Sequence, residues 1–257
     1  MLLAITREVS PRIADCELTH LARTPIDLER ARMQHRRYAE LLETLGCKLI
    51  RLPAEPELPD SVFVEDTAVV LDELALITRP GAESRRGETA TVANALKPYR
   101  KLFYIEPSGT LDGGDVLRVG KTLYVGLSER GNLDGIGQLR RALAPFGYVV
   151  TGVRLHGCLH LKSAVTQVDK NCVLINRRWV DASAFESMRL IDVADSEPFA
   201  ANALLIGTTV IYPAAFTQTR QRLKEQGIQV GTTDASELAK AEGGVTCGSL
   251  IFTTQSD

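Results

Sequence analysis

Apolar and polar positions alternate along this chain in short blocks, and five of these blocks repeat a similar pattern. In each, a polar or glycine-containing turn leads into a short apolar strand, a second turn follows, and another apolar strand closes a predicted hairpin. The hairpins begin near Val64, Leu111, Leu159, Phe199 and Cys247. Their spacing of roughly 40 to 48 residues is typical of propellers and stacked repeats.

Segments with helical spacing separate these hairpins. Helices are predicted at residues 26–45, ended by Gly46, and at 88–96, 132–143 and 217–226. Each unit is then strand, strand, helix, strand, and several such units around an axis form an α/β propeller. The apolar run of residues 1–7 is predicted to be a first strand that completes the fifth hairpin. The alternative is an ordinary mixed α/β sheet in which the repeat has no structural meaning.

Composition limits the classes of partner. The 257 residues are 44% hydrophobic and 24% charged, with a net charge of −2, which is sufficient for a sizeable core. One large domain or two small ones would fit this length. Near-neutral charge without a basic run argues against nucleic acid and against an anionic membrane surface as partners. A small molecule is the expected partner, and a homodimer is left open.

The cysteines indicate a reducing compartment. Cys16, Cys47, Cys158, Cys172 and Cys247 are odd in number, widely spaced and without a C-x-x-C pair. We therefore predict a cytoplasmic protein with no structural zinc site. No window approaches the length of a membrane span.

Chemically reactive side chains stand at the start of the predicted hairpins. Cys247 follows Gly243-Gly244 and precedes an apolar strand, where a thiol can face a cleft. Most free cysteines are small buried hydrophobes, so Cys247 alone is weak evidence. If the hairpins surround one axis, however, His160 and several carboxylates share the cleft with Cys247, which makes this cysteine the candidate nucleophile.

The charges in this constellation point to a cationic substrate. Carboxylates around a thiol raise its pKa and disfavour the thiolate, so the site suits a substrate that brings positive charge. A planar guanidinium does so, and carboxylates bind it through paired hydrogen bonds. Cys247 would attack the guanidinium carbon, while His160 protonates the leaving amine and then activates water. Asp112 would orient His160 as the third member of a triad.

Arginines in two loops fit the other end of an amino-acid substrate. Arg85 and Arg86 follow the first hairpin, and Arg130 follows the second. Arginines from two loops can bind an α-carboxylate together. The alternative at each position is a solvated basic loop.

The same residues lie in stretches that resemble the dimethylarginine dimethylaminohydrolases (dimethylargininases), a family of guanidino-modifying enzymes. The matching stretches extend along most of the chain and read LPDSVFVEDT (58–67), TRPGAESRRGE (78–88), LDGGDV (111–116), LHLKS (159–163), AAN (200–202) and GGVTCGSL (243–250). The resemblance implies that residues 1–257 form a single catalytic domain, a five-bladed α/β propeller (pentein) of ββαβ units with pseudo-fivefold symmetry. It also implies hydrolysis of Nω-methylated arginines to L-citrulline and a methylamine. We expect no cofactor and no metal.

Position by position, the resemblance assigns Cys247 as nucleophile, His160 as general acid and base, and Asp112 as the acid partner of His160. Its implied substrate-binding residues are Glu65 and Asp66 at the guanidinium, Arg85 and Arg130 at the carboxylate, and Asp60, Leu18 and Ala241 at the α-amine. Leu18 and Ala241 would act through backbone carbonyls. Two departures are an aspartate at 112, where the family has Asp or Glu, and the small Ala241 in place of a larger apolar residue.

One position separates this family from the related arginine deiminases. Those enzymes resemble it in the cysteine and histidine but carry a second acid two residues after the histidine, where this chain has Lys162. A dimethylated nitrogen has no proton to donate, so a carboxylate facing it would be left unpaired. The sequence therefore favours an alkylated substrate. A deiminase or amidinotransferase, and a non-catalytic binder of cationic amino acids, remain as alternatives.

Overall fold

Five three-stranded sheets make up the protein. A computed structural model of the chain describes residues 1–254. The strands in chain order are β1 (Leu2–Arg7), β2 (Lys48–Leu52), β3 (Ala68–Val70), β4 (Leu74–Ile77), β5 (Lys101–Tyr104), β6 (Val116–Val119), β7 (Thr122–Leu127), β8 (Val149–Arg154), β9 (Val165–Asp169), β10 (Cys172–Ile175), β11 (Arg189–Asp192), β12 (Leu204–Ile206), β13 (Thr209–Pro213), β14 (Gln229–Thr233) and β15 (Leu250–Thr253). Their orders are β3-β4-β5, β6-β7-β8, β9-β10-β11, β12-β13-β14 and β15-β1-β2.

Every sheet has the same topology. An antiparallel hairpin is followed by a third strand that pairs parallel to the middle one. In the fifth sheet the hairpin joins the two ends of the chain, with Leu3 opposite Phe252. The repeat, the pentein propeller and the closing role of the first strand are thus confirmed, and an ordinary mixed sheet is excluded.

Helices connect the middle and outer strands in four of the five units. The α-helices are α1 (Leu28–Thr44), α2 (Thr89–Leu96), α3 (Leu133–Leu143), α4 (Leu161–Ala164), α5 (Thr217–Glu225) and α6 (Ser236–Ala239). The third unit differs, because a short 3-10 helix at Ala182–Phe185 stands where the others have an α-helix. The expectation of an α-helix between the middle and outer strands of every unit is therefore wrong for the third unit.

Local signals explain why the predicted helices form where they do. The side chain of Asp27 accepts a hydrogen bond from Arg30 N at the start of α1, and Asn132 caps α3 through Gly135 N. Gly46, with φ of 92°, ends the first helix in the left-handed region that glycine adopts without strain. The boundaries lie within two residues of those predicted.

The first strand of each unit lies nearest the axis. Strands β15 and β3, β6 and β9, and β9 and β12 contact one another across unit boundaries. Apolar side chains fill the space between sheets and helices, as where Leu123, Val125 and Leu139 pack together. Because the inner strands surround the axis, the residues just before them meet at one end of it.

Within residues 1–254, no helix has the length and apolar run needed to cross a bilayer.

Candidate active site

Tight turns before the inner strands carry the reactive side chains. A 3-10 helix at Val64–Thr67 precedes β3, and another at Gly113–Asp115 precedes β6, directly after Asp112. His160 stands immediately before α4, which leads into β9. Cys247 lies in the turn that leads into β15. Because these strands surround one axis, turns that are distant in sequence lie side by side.

Cys247 is held in place by its own turn and by a neighbouring one. Gly244 N donates to Cys247 Sγ over 3.3 Å, and Glu65 N donates to the Cys247 carbonyl over 3.1 Å. Asn202, which precedes β12, accepts from Thr246 N and donates to Thr246 Oγ1, both over 3.0 Å. These contacts fix the backbone on both sides of the thiol.

Glycine is required at two positions in this site. A Cβ at Gly244 would lie 2.4 Å from the Asn202 side chain, and a Cβ at Gly114 would lie 2.6 Å from His160 Nδ1. Both separations are too short for non-bonded atoms. The glycines therefore let the backbone approach the side chains of Asn202 and His160 closely.

His160 is buried between two carboxylates. Its Nε2 lies 3.0 Å from Asp112 Oδ2, and its Nδ1 lies 3.8 Å from Asp66 Oδ1. Burial alone lowers the pKa of an imidazole, but the charge of Asp66 and the hydrogen bond with Asp112 outweigh it and raise the pKa of His160 to about 9. The imidazole is therefore protonated at neutral pH and ready to donate a proton.

The carboxylates beside His160 are themselves fixed by hydrogen bonds. Asp112, which is fully buried, accepts from Gly81 N over 2.9 Å. Asp66 accepts from Gly114 N over 3.0 Å and from Arg85 Nη1 over 2.7 Å. Although burial opposes it, the charges of His160 and Arg85 lower the pKa of Asp66 to about 2. Asp66 is thus a permanent negative charge next to the imidazole.

The thiol stands in an electronegative surrounding. Burial, together with the charges of Glu65 and Asp66, raises the pKa of Cys247 to about 12. The expectation that surrounding carboxylates disfavour the thiolate is confirmed. At neutral pH the free protein holds Cys247 as a neutral thiol.

Arg85 uses most of its hydrogen-bond donors within the protein, which leaves few for the α-carboxylate of a substrate. Its Nε and Nη2 bind Glu88 over 3.0 and 2.8 Å, its Nη1 binds Asp66, and Nη2 also reaches the Phe63 carbonyl at 3.4 Å. A guanidinium has five N–H groups. One N–H on Nη1 therefore remains for a substrate, and Arg130 has to supply most of a carboxylate site.

We predict that Glu88→Gln destabilises the protein by about 3 kcal/mol, because an amide cannot accept both N–H groups of the buried Arg85. The Glu88 and Arg85 side chains are 1% and 6% exposed. Urea unfolding measures the change. Glu83→Gln is the matched control: Glu83 pairs with Arg86 in the same 3-10 helix but is 84% exposed, so its loss should cost less than about 0.5 kcal/mol. Equal effects of the two variants would contradict the prediction.

A narrow polar cavity connects most of the predicted site residues. Its walls include Asp60, Asp66, Arg85, Arg130, His160, Ala241 and Cys247. Burial raises the pKa of Asp60, whose Oδ2 accepts from Glu17 N over 3.0 Å. Leu18 lies on the same loop, beside Glu17. Asp112 lies behind His160, in keeping with an orienting role.

Glu65 differs from the other predicted substrate ligands. Its carboxylate binds Lys162 Nζ and Thr246 Oγ1, each over 2.6 Å, and it lines a separate cavity on the axis rather than the one bordered by His160 and Cys247. Direct contact with a guanidinium would require the Lys162 pair to open. A substrate-binding role for Glu65 therefore stays a prediction.

Two wall residues carried no sequence signal. Phe63, which is buried, lies between Asp60 and Asp66 in the turn and lines the cavity. Glu242, with φ of 59°, accepts from the backbone N–H groups of Thr19, His20 and Leu21. Its carboxylate therefore fastens the loop that contributes Glu17 to the cavity wall.

Comparisons with known proteins agree with this geometry. The arginine deiminase family model matches residues 55–210. A relative named N(G),N(G)-dimethylarginine dimethylaminohydrolase from Pseudomonas aeruginosa is 37% identical over 88% of this chain and 90% of its own length. Another of the same name from Streptomyces coelicolor is 40% identical over 96% of this chain and 95% of its own length.

The chain belongs to the dimethylarginine dimethylaminohydrolase family. A solved structure of this family, a cysteine-to-serine variant of DDAH from Pseudomonas aeruginosa complexed with citrulline, superposes with a TM-score of 0.92 at 34% identity. The match covers 97% of this chain and 98% of that one. The whole propeller, and not one unit of it, is therefore shared with this dimethylarginine dimethylaminohydrolase.

Proposed function

We propose that this protein hydrolyses Nω,Nω-dimethyl-L-arginine and Nω-methyl-L-arginine to L-citrulline and dimethylamine or methylamine, through a covalent intermediate on Cys247. The observation that carries the proposal is the cavity in which Cys247, His160 and Asp66 meet, with Asp112 bound to His160 from behind. Family membership supplies the substrate class, since relatives 37% and 40% identical bear the name of this activity.

Substrate binding prepares the nucleophile. The guanidinium enters beside Asp66, while Arg130 and the remaining N–H of Arg85 hold the α-carboxylate and Asp60 faces the α-amine. The positive charge offsets the carboxylates that hold the pKa of Cys247 near 12. The thiol then loses its proton to solvent, and the thiolate forms next to the carbon that it attacks.

The first half of the reaction replaces nitrogen by sulfur. A bond forms between Cys247 Sγ and the guanidinium carbon, and the bond from that carbon to the alkylated nitrogen breaks. The amine leaves with a proton from His160, which is protonated because its pKa is about 9. The product on the protein is a cationic S-alkylthiouronium.

The second half returns the thiol. His160, now neutral, takes a proton from a water molecule whose oxygen bonds to the same carbon. The carbon–sulfur bond breaks and Cys247 leaves as thiolate, which takes up the remaining hydroxyl proton as the ureido group of citrulline forms. Asp112 keeps the imidazole aligned through both halves over its 3.0 Å contact.

The surroundings of Lys162 favour an alkylated substrate over plain arginine. Where a deiminase has a second acid, this chain has a lysine whose Nζ is 2.6 Å from Glu65. The negative charge of Glu65 is thereby offset, so no unpaired carboxylate remains there to bind the unalkylated nitrogens of plain arginine.

A panel of guanidines tests the assignment. We expect citrulline with dimethylamine or methylamine from the two methylated arginines, and little ammonia from arginine itself. Each product is quantified by mass spectrometry in one set of reactions. Efficient ammonia release from arginine without turnover of methylated arginines would assign a deiminase instead, and transfer of the amidino group to an added amine would assign an amidinotransferase.

The proposal also covers the setting of the reaction. Residues 1–257 act as one catalytic domain, in the cytoplasm, without a cofactor, since a thiol and an imidazole supply every step above. The net charge of −2 fits a small-molecule substrate and not nucleic acid.

A further inference from the structure

A second cavity meets the polar one at the thiol. It measures about 250 Å³ and shares Leu159, Glu242, Gly243 and Cys247 with the polar cavity. Its remaining walls are mainly apolar and include Trp179, Phe199, Phe216 and Ala215. The nucleophile thus stands between a narrow charged compartment and a wide apolar one.

The wide cavity is unsuited to a cation. Of the described residues that line it, Glu242 is the one with a carboxylate, and its oxygens already accept three backbone N–H groups. The Asn202 amide is likewise engaged, with Thr246 and the Lys162 carbonyl. An apolar group loses no hydrogen bond by entering this space.

Aromatic rings in this cavity are left open to solvent. Trp179 and Phe199 stack edge to face with centroids 5.0 Å apart, yet Phe199 remains 51% exposed. An exposed apolar surface next to a catalytic thiol is typical of a binding site.

The orientation of the substrate indicates which part of it enters this cavity. Asp60 and Arg130, at the α-amino and α-carboxylate end, border the polar cavity alone, whereas Cys247 borders both. The alkyl group on the terminal nitrogen is the part of the substrate farthest from the α-carbon, so it reaches the thiol and then the apolar walls. We infer that this cavity is a subsite for Nω-alkyl groups larger than methyl, such as propyl and pentyl. The inference rests on the function proposed above.

Steady-state kinetics on Nω-methyl-, Nω-propyl- and Nω-pentyl-L-arginine tests it. We expect citrulline from all three, with propylamine and pentylamine as co-products. KM should fall with chain length, since each methylene taken from water improves binding by up to about fourfold. Loss of turnover on propyl- and pentylarginine, or a rising KM, while methylarginine is hydrolysed, would overturn the subsite alone. Failure on methylarginine as well would overturn the proposed function and this inference with it.

A variant that fills the cavity locates the alkyl group. Ala215 lies at its exposed rim, so Ala215→Trp reduces the space without disturbing the core. We expect kcat/KM for pentylarginine to fall at least about tenfold, the equivalent of losing two buried methylenes, with methylarginine little affected. Ala90→Trp, at an exposed position of α2, is the matched control and should leave the ratio of the two substrates unchanged.

Equal losses on both substrates, or no loss on either, would place the alkyl group elsewhere and overturn the inference. Phe199→Ser gives a second test if Ala215→Trp lowers the melting temperature. It removes an exposed ring from the same wall, and it should raise the KM of pentylarginine selectively.

Discussion

A Cys247→Ser variant is expected to lose activity on methylated arginines by a factor on the order of 10⁴ or more, because no other group can form the covalent intermediate. A serine hydroxyl can keep the 3.3 Å contact with Gly244 N but is a far weaker nucleophile in a site built around carboxylates. Citrulline formation measures the loss. Binding of citrulline, followed by its effect on the melting temperature, should persist.

Cys158→Ser provides the matched control for this experiment. Cys158 lines the apolar cavity with Cys247, but its Sγ contacts the His160 carbonyl over 3.6 Å, and Cys158 does not line the polar cavity proposed to hold methylarginine. We expect its activity to stay within a few-fold of the original. A Cys247→Ser protein that keeps its activity would favour the non-catalytic binder, or a different nucleophile, over the proposed hydrolase.

Much of this fold could be predicted from the sequence because each unit carries its own local signals. Apolar strands of similar length, a turn before each inner strand and cap residues such as Asp27 and Asn132 recur at nearly constant spacing. The third unit departs from the prediction. Its connection between β10 and β11 forms only a four-residue 3-10 helix at Ala182–Phe185, where the repeat predicts an α-helix.

That the candidate catalytic residues lie close together was also predictable, for a different reason. Cys247, His160 and Asp112 each stand next to an inner strand, so the repeat itself brings them together. The engagement of Arg85 by Glu88 and the pairing of Glu65 with Lys162 could not be read in this way, since both depend on side-chain directions. The role of Glu242 was equally hidden, because it fastens residues more than 200 positions away.

A His160→Gly variant should lower kcat by about 10² to 10⁴, the usual contribution of a general acid and base. In the proposed mechanism His160 is the base that activates water in the second half, so the thiouronium that does form should be hydrolysed slowly. Intact-protein mass spectrometry of a quenched reaction would reveal the adduct on Cys247. Added imidazole should restore part of the activity by occupying the vacated space between Asp66 and Asp112.

His156→Gly is the matched control, since His156 is exposed and lies in the same loop between β8 and α4. Its kinetics should be unchanged. Normal turnover by His160→Gly, or an identical loss in His156→Gly, would remove His160 from the mechanism.

The pH profile separates an acid–base role of His160 from a purely structural one. In the free protein, kcat/KM requires Cys247 as thiolate and His160 as imidazolium. With a thiol pKa of about 12 and an imidazole pKa of about 9, it should rise as the thiol ionises up to pH 9. Above pH 9 each gain in thiolate is offset by loss of imidazolium, so the profile should level off. In His160→Gly the rise should continue past pH 9. If His160 had only a structural role, a different acid would produce the plateau, and the His160→Gly variant would keep it.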